Sequence, residues 1–124
     1  MSFQYSDEIL RRFRNPKNAG EIKNPDGIGM VGNRSCGDVM HLYIKVENNK
    51  IVDAKFKTLG CAAAISFSDL LCDMVKNQNI EDALKLTKDD LVKKLGGVPA
   101  PKLHCSLLAV DALHKAIEDF KNKK

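Results

Sequence analysis

The change of hydrophobic period near residue 59 is the feature that most constrains this fold. Before it, apolar residues recur at every second position in two neighbouring segments, 39–46 and 51–57. The residues Asn48-Asn49-Lys50 join these segments by a turn so short that it indicates an antiparallel hairpin. A third strand is expected at residues 28–31. The first half of the chain therefore predicts a small three-stranded antiparallel sheet.

Helical patterns lie on both sides of this sheet in the sequence. A short N-terminal helix is expected over residues 6–13, with Ser6 as its N-cap, acidic residues in its first turn and arginines in its last. The other predicted helices cover residues 62–77, 80–86, 88–95 and 105–121. Strands followed by helices indicate an α+β fold, with the helices packed on one face of the sheet and a long helix at the C-terminal end.

Composition and charge exclude several classes of protein. With 124 residues, 44% of them hydrophobic, the chain suits one domain over residues 1–124, whose ends at 1–5 and 121–124 are expected to be flexible. No apolar run approaches the roughly 18–20 residues that span a bilayer, and the first residues lack the form of a secretory signal. The net charge of +4 is mild and forms no basic stripe. We therefore expect a cytoplasmic protein that binds neither membranes nor nucleic acid.

Three short segments carry the chemistry of the chain: Cys36-Gly37-Asp38, Gly60-Cys61-Ala62 and His104-Cys105-Ser106. Each lies where one predicted element gives way to another, and loops at the rim of a sheet are natural places for a functional site. Four cysteines in a chain of this length, without an export signal, favour metal binding or catalysis over a disulfide scaffold. We therefore expect the three segments to meet in the folded protein.

The residue types in these segments suit a soft metal. Cys36 and Asp38 are two residues apart, so in extended backbone their side chains project to the same side. Cys61 and Cys105 are expected at helix N-termini, where the helix macrodipole favours thiolate over thiol. Lys102 adds a positive charge near Cys105. Thiolate is the form in which cysteine binds metals and attacks sulfur donors.

The set is one thiol short of the four that normally hold an iron–sulfur centre permanently. Cys72 follows Cys61 along one predicted helix at a distance of roughly 16 Å, so the two cannot share a metal or a binuclear cluster. We interpret Cys72 as a core residue, because a buried cysteine behaves as a small hydrophobe. Asp38 and His104 are then the candidates for the last position, and we hypothesise that they alternate in it. Weaker ligands suit a site that assembles a metal–sulfur centre and releases it.

Two other functions fit parts of this pattern. Three cysteines with a histidine or an aspartate also satisfy tetrahedral zinc, although the sequence lacks the paired Cys-x-x-Cys knuckles typical of permanent zinc modules. The third hypothesis is a thiol enzyme that uses Cys105 with His104. Adjacent side chains on a helix diverge by about 100°, so neighbouring residues seldom form a pair of nucleophile and base, and this hypothesis is the least favoured. His41 and His114 are interpreted as structural or exposed residues, because no thiol or carboxylate motif accompanies them.

These motifs, in this order, resemble the family of iron–sulfur cluster assembly scaffolds that comprises IscU and the N-terminal part of NifU. The matching pieces cover nearly the whole chain, so the resemblance is far more specific than any single cysteine motif. They are Tyr5-Ser6, Asn15-Pro16-Lys17-Asn18-Ala19-Gly20, Val31-Gly32-Asn33, Cys36-Gly37-Asp38-Val39-Met40, Ile51-Val52-Asp53-Ala54-Lys55-Phe56-Lys57, Gly60-Cys61 and Lys102-Leu103-His104-Cys105-Ser106.

The resemblance implies a scaffold or carrier protein rather than a classical enzyme. On such a scaffold, iron and persulfide sulfur from a cysteine desulfurase form a labile [2Fe–2S] cluster, which later passes to acceptor apoproteins. The resemblance implies Cys36, Cys61 and Cys105 as ligands of the cluster, or of zinc in its place, with Cys105 also accepting the persulfide. It implies Asp38 as the residue that makes the cluster labile and His104 as an alternate ligand.

Three details refine what the resemblance implies about partners and about the subgroup of the family. Tyr5 matches an N-terminal tyrosine that family members use in self-association, which implies a homodimer. Members served by a dedicated chaperone carry Leu-Pro-Pro-Val-Lys before the His-Cys pair, whereas this chain has Val98-Pro99-Ala100-Pro101-Lys102, which weighs against a chaperone partner. The related SufU proteins, zinc-binding sulfur acceptors that are the alternative interpretation, lack the histidine that His104 provides here. The IscU-like interpretation is therefore favoured.

Overall fold

The computed structural model of the chain describes residues 6–33, 38–96 and 104–123. The strands in these ranges are β1 (Gly27–Asn33), β2 (Asp38–Glu47) and β3 (Lys50–Leu59). The helices are α1 (Asp7–Arg14), α2 (Ala62–Val75), α3 (Ile80–Ala83), α4 (Lys88–Lys94) and α5 (His104–Asn122). The predicted α+β class, with a short first helix and a long last one, is confirmed. Within the described ranges no helix is long and apolar enough to cross a membrane.

The sheet has the order β1-β2-β3, and each strand is antiparallel to its neighbour, as the alternation predicts. Glu47 pairs with Lys50, which leaves Asn48 and Asn49 as a two-residue turn with φ angles of 53° and 63°. A type I′ hairpin turn needs positive φ at both central positions, and asparagine tolerates this better than most residues. The hairpin is therefore confirmed, with Lys50 in β3 rather than in the turn.

Two helices end two or more residues earlier than their sequence patterns predict. Helix α2 ends at Val75 rather than at residue 77. Asn77 has a φ of 69° and donates its N–H to the carbonyl of Ile51 at 2.6 Å, so the chain leaves the helix to pair with the start of β3. Helix α3 ends at Ala83 rather than at residue 86, and the N–H groups of Lys85 and Leu86 bond three residues back in a tighter turn.

The long helix α5 packs directly on the backbone of β1. A Cβ atom on Gly29 would lie 2.0 Å from the carbonyl oxygen of Ala112, and one on Gly27 would lie 2.2 Å from that of Ala116. Both distances are far below van der Waals contact, so glycine is required at the two positions for the helix to approach this closely. Leu42, which pairs with Gly29, is fully buried. The covered face of the sheet is therefore the one that carries the alternating apolar residues.

A buried ion-pair network fastens α1 and the loop after it to α2. Arg12 donates hydrogen bonds to Asp69 and Asp73, both at 2.7 Å. Asn18 donates its backbone N–H to Asp69 and its side-chain amide to Asp73, both at 2.9 Å. The carbonyl of Asn18 accepts the N–H of Phe56 at 3.0 Å, so this loop lies along the outer edge of β3.

Candidate metal centre

Two of the predicted cysteines meet where β3, α2 and α5 converge. Cys61 is the N-cap residue of α2, with extended backbone angles (φ −79°, ψ 176°), and follows β3 after one intervening glycine. Cys105 is the second residue of α5 and is 1% exposed. The two Sγ atoms lie 3.8 Å apart although the residues are 44 positions apart in the chain. The fold therefore brings the second and third cysteine segments together.

The first cysteine segment leads into the same corner of the sheet. Asp38 is the first residue of β2, and the next residue, Val39, pairs with Leu59 at the end of β3. Leu59 is two residues before Cys61, so the beginning of β2 lies beside the strand end that positions this thiol. The backbone of Asp38 is thus at the rim that carries Cys61, while its side chain is outside what the structure describes.

The other predicted site residues are described only in part or not at all. Tyr5, Cys36 and Lys102 lie outside the described residues. His104 begins α5 immediately before Cys105, but its side chain is likewise not described. Within residues 6–33, 38–96 and 104–123, no three His, Cys, Asp or Glu side chains come together as a metal site. Cys61 and Cys105 are thus the described part of the candidate centre.

Two hydroxyl groups, those of Thr58 and Ser68, hold together the strand and the helix on either side of Cys61. The Oγ1 atom of Thr58, near the end of β3, lies 2.9 Å from the Oγ atom of Ser68 in α2. Ser68 donates to the carbonyl of Ala64 at 2.8 Å, so its hydrogen is used and Thr58 is the donor in the first bond. These bonds fix the angle at which β3 turns into α2. Sequence reasoning missed this pair, because a threonine and a serine ten residues apart carry no periodic signal.

The electrostatics of this corner favour anions. The N-terminal ends of α2 and α5 both lie at the thiol pair, and neither helix has an acidic residue in its first turn. The unpaired N–H groups of a helix N-terminus carry a partial positive charge, which stabilises a thiolate there. Helices of 14 and 19 residues supply this potential without a carboxylate from their own first turns to offset it.

Cys72 lies apart from this chemistry, as predicted. It is fully buried in the core beneath α2. Burial, and to a smaller extent the charge of Asp69, raises the pKa of its thiol well above the usual value, so it stays protonated and is a poor ligand. The two remaining histidines also agree with their interpretation, since His41 is half-buried and His114 is exposed.

An exposed apolar surface borders the thiol corner on the open face of the sheet. Leu59 is 73% exposed, and its strand partner Val39 is also exposed. Met30, 56% exposed, projects from the same face. A groove of about 650 Å³ runs beside Val39 and Leu59 toward Ile65 in α2. The sequence carries a signal for this surface. Lys55 and Lys57 occupy the open face of β3, so the alternation predicts a polar residue at position 59, and the chain has Leu59 there instead.

Comparison with known proteins decides the family. The family model described as the NifU-like N terminal domain matches residues 4–124 of this chain. The chain belongs to this family. It is 52% identical over 119 residues to the iron-sulfur cluster assembly scaffold protein IscU 1 of Archaeoglobus fulgidus, covering 96% of this chain and 78% of that protein. It is 48% identical over 124 residues to a protein of Drosophila melanogaster called iron-sulfur cluster assembly enzyme IscU, covering 97% of this chain and 80% of that protein.

A solved structure shares the fold. The N-terminal part of a nitrogen-fixing NifU-like protein from Brucella abortus superposes with a TM-score of 0.76 at 21% identity, covering 95% of this chain and 94% of that one. The likeness supports the architecture described above. The match to the family model and the identity to the IscU proteins confirm the resemblance to the IscU and NifU family that the sequence motifs carry.

Proposed function

We propose that this chain is a scaffold on which iron and sulfide assemble into a labile [2Fe–2S] cluster that then passes to acceptor apoproteins. The observation that carries the proposal is the pair of Cys61 and Cys105 thiols, 3.8 Å apart at two converging helix N-termini. Thiolates are the usual ligands of iron–sulfur clusters. Membership of the family and the identity to IscU scaffold proteins support the same function.

The proposed ligand set combines three strong ligands with a weaker one. Cys36, Cys61 and Cys105 would supply thiolates, and Asp38 or His104 would take the fourth position. The placement of Asp38 at the start of β2, on the rim that carries Cys61, supports its inclusion. A carboxylate or imidazole in place of a fourth thiolate suits a cargo that has to leave. Zinc could occupy the same ligands in place of the cluster, because it also accepts thiolate, imidazole and carboxylate in a tetrahedral site.

The proposed partners follow from what the cargo requires. A cysteine desulfurase would deliver sulfur as a persulfide to Cys105, with Lys102 as a nearby cation, and acceptor apoproteins would take the finished cluster. The exposed Met30, Val39 and Leu59 beside the site support protein partners, because an exposed apolar patch is typical of an interaction surface. The proposal places the scaffold in the cytoplasm, where thiols stay reduced, and includes a homodimer formed through Tyr5.

Anaerobic reconstitution tests the proposal. The reduced protein is incubated with ferrous iron, cysteine and a desulfurase while visible absorption is followed, and an apo-ferredoxin is then added. We expect a [2Fe–2S] spectrum that moves to the ferredoxin, with Cys61→Ser and Cys105→Ser forming little cluster. Cys72→Ser is the matched control and should behave as the wild type. An Asp38→Ala variant should hold its cluster longer.

The same experiment separates the scaffold from a permanent zinc site. Tight retention of zinc with no cluster under any condition would overturn the scaffold function. Cluster formation that Cys72→Ser abolishes and Cys61→Ser does not would overturn the assignment of the ligands.

A further inference from the structure

The distance between the two thiols is informative beyond metal binding. Cys61 Sγ and Cys105 Sγ are 3.8 Å apart, and a disulfide bond is about 2.05 Å long, so a shift of less than about 2 Å would join them. The two residues belong to different elements, the N-cap of α2 and the first turn of α5. Closing this gap would take a rotation of one side chain or a small movement of one helix end.

A scaffold that receives persulfide sulfur has to reduce it before a cluster can form. The outer sulfur of a cysteine persulfide is at the oxidation level of sulfane sulfur, whereas an iron–sulfur cluster contains sulfide. We propose that Cys61 is the internal nucleophile that releases sulfide from a persulfide on Cys105, leaving a Cys61–Cys105 disulfide. This inference rests on the proposed function and adds a chemical step to the same site.

The step balances without an external oxidant or reductant. The Cys61 thiolate attacks Sγ of Cys105, and a new Sγ–Sγ bond forms as the bond between Cys105 Sγ and the outer sulfur breaks. The electron pair of the broken bond leaves with the outer sulfur, which departs as hydrosulfide and keeps its proton. Counted together with the loading of the persulfide, two thiols become one disulfide and one sulfur atom becomes sulfide. A dithiol reductant of the thioredoxin type resets the disulfide before another round.

The geometry favours attack by Cys61 on the inner sulfur. The inner sulfur is Cys105 Sγ itself, the atom that lies 3.8 Å from Cys61 Sγ. Cys61 is the partly buried neighbour of this sulfur, so its thiol is already within van der Waals distance once the persulfide has been loaded. A nucleophile held in place acts at a very high effective concentration.

The remaining described cysteine provides the matched control. Cys72 is fully buried and its thiol stays protonated, so it has neither the access nor the ionised form needed for exchange. Replacing Cys72 should leave sulfide release unchanged, while replacing Cys61 should stop it.

A single-turnover experiment tests this step. The reduced, metal-free full chain is loaded with a desulfurase and limiting cysteine, freed of small molecules, and kept anaerobic without any thiol. Sulfide is measured over time, and peptides are mapped by mass spectrometry under non-reducing conditions. We expect persulfide on Cys105 at the start, then sulfide and the Cys61–Cys105 disulfide appearing in equal amounts. In Cys61→Ser the persulfide should persist and sulfide release should fall at least about tenfold, whereas Cys72→Ser should match the wild type.

The outcomes distinguish this inference from the function on which it rests. Persulfide that stays on Cys105, moves to Cys61, or yields sulfide without the disulfide would overturn the internal release step. In those cases a cluster that still forms and transfers when an external reductant is added would leave the scaffold function standing. A chain that takes up no persulfide on Cys105 would overturn this step, and failure to form any cluster from supplied sulfide would overturn the scaffold function as well.

Discussion

The buried thiol of Cys72 gives the protein a pH dependence that one substitution can isolate. Burial first, and the charge of Asp69 second, raise the pKa of this thiol well above its usual value. In the unfolded chain the thiol ionises near its usual pKa of about 8.5, whereas the folded protein keeps it protonated. The unfolded state then binds fewer protons, so the free energy of unfolding falls as the pH rises from about 8.5 toward the folded pKa.

The variant Cys72→Ala should remove this dependence. Between about pH 8 and pH 10, its free energy of unfolding should fall less than that of the wild type, by up to about 2 kcal/mol. Other groups that titrate in this range are common to both proteins and cancel in the comparison. Urea unfolding at pH 7, 8, 9 and 10 measures both profiles. Parallel profiles would show that the Cys72 thiol ionises equally well in the folded protein.

At the scale of elements, the contact between α5 and β1 depends on the absence of two side chains. A Cβ atom on Gly29 would meet the backbone oxygen of Ala112 at 2.0 Å, and a backbone atom cannot rotate out of the way as a side chain can. The helix would have to move off the sheet. Because Cys105 lies in the first turn of α5, this packing also determines where that thiol lies.

The variant Gly29→Ala should therefore be destabilised by at least about 1–3 kcal/mol, the usual cost of overpacking. Met30→Ala is the matched control, because Met30 is the next residue of β1 and is 56% exposed on the opposite face. Its effect should stay within about 0.5 kcal/mol. Chemical denaturation of both variants gives the comparison, and equal stabilities would contradict the close packing of α5 on β1.

Local patterns in the sequence explain why the elements themselves were predictable. The alternation in β2 and β3, the two asparagines of the turn and the apolar stripe of α5 are each signalled within a few residues. The predicted end of α2 was wrong by two residues. Asn77 donates its N–H to Ile51 of β3, and the helical pattern cannot show such a contact. The support beneath Cys61 was missed for the same reason, since the bond between Thr58 and Ser68 depends on the angle between a strand and a helix.

At the scale of the whole molecule, the ion-pair network around Asp69 joins parts of the chain that are distant in sequence. Arg12 of α1 and Asn18 of the following loop both bond to Asp69 of α2, and the loop in turn bonds to β3. The Asp69 side chain is 2% exposed. A buried carboxylate that loses its partner remains as an uncompensated charge, which is costly. Since Cys61 is the N-cap of α2, this network also fixes the helix that presents the thiol.

The variant Arg12→Ala should accordingly lose about 3–5 kcal/mol of unfolding free energy. Arg11→Ala is the matched control on the same helix, because Arg11 is exposed and pairs with Glu8 at the surface, a contact that contributes less than about 1 kcal/mol.

The salt dependence of stability adds a second readout. Raising the ionic strength should weaken the small contribution of Arg11, while the cost of Arg12→Ala should persist because buried pairs are screened much less. Urea unfolding of the wild type and both variants at low and high salt measures these effects, and a loss for Arg12→Ala as small as that for Arg11→Ala would show that the network does not hold α1 and the loop against α2.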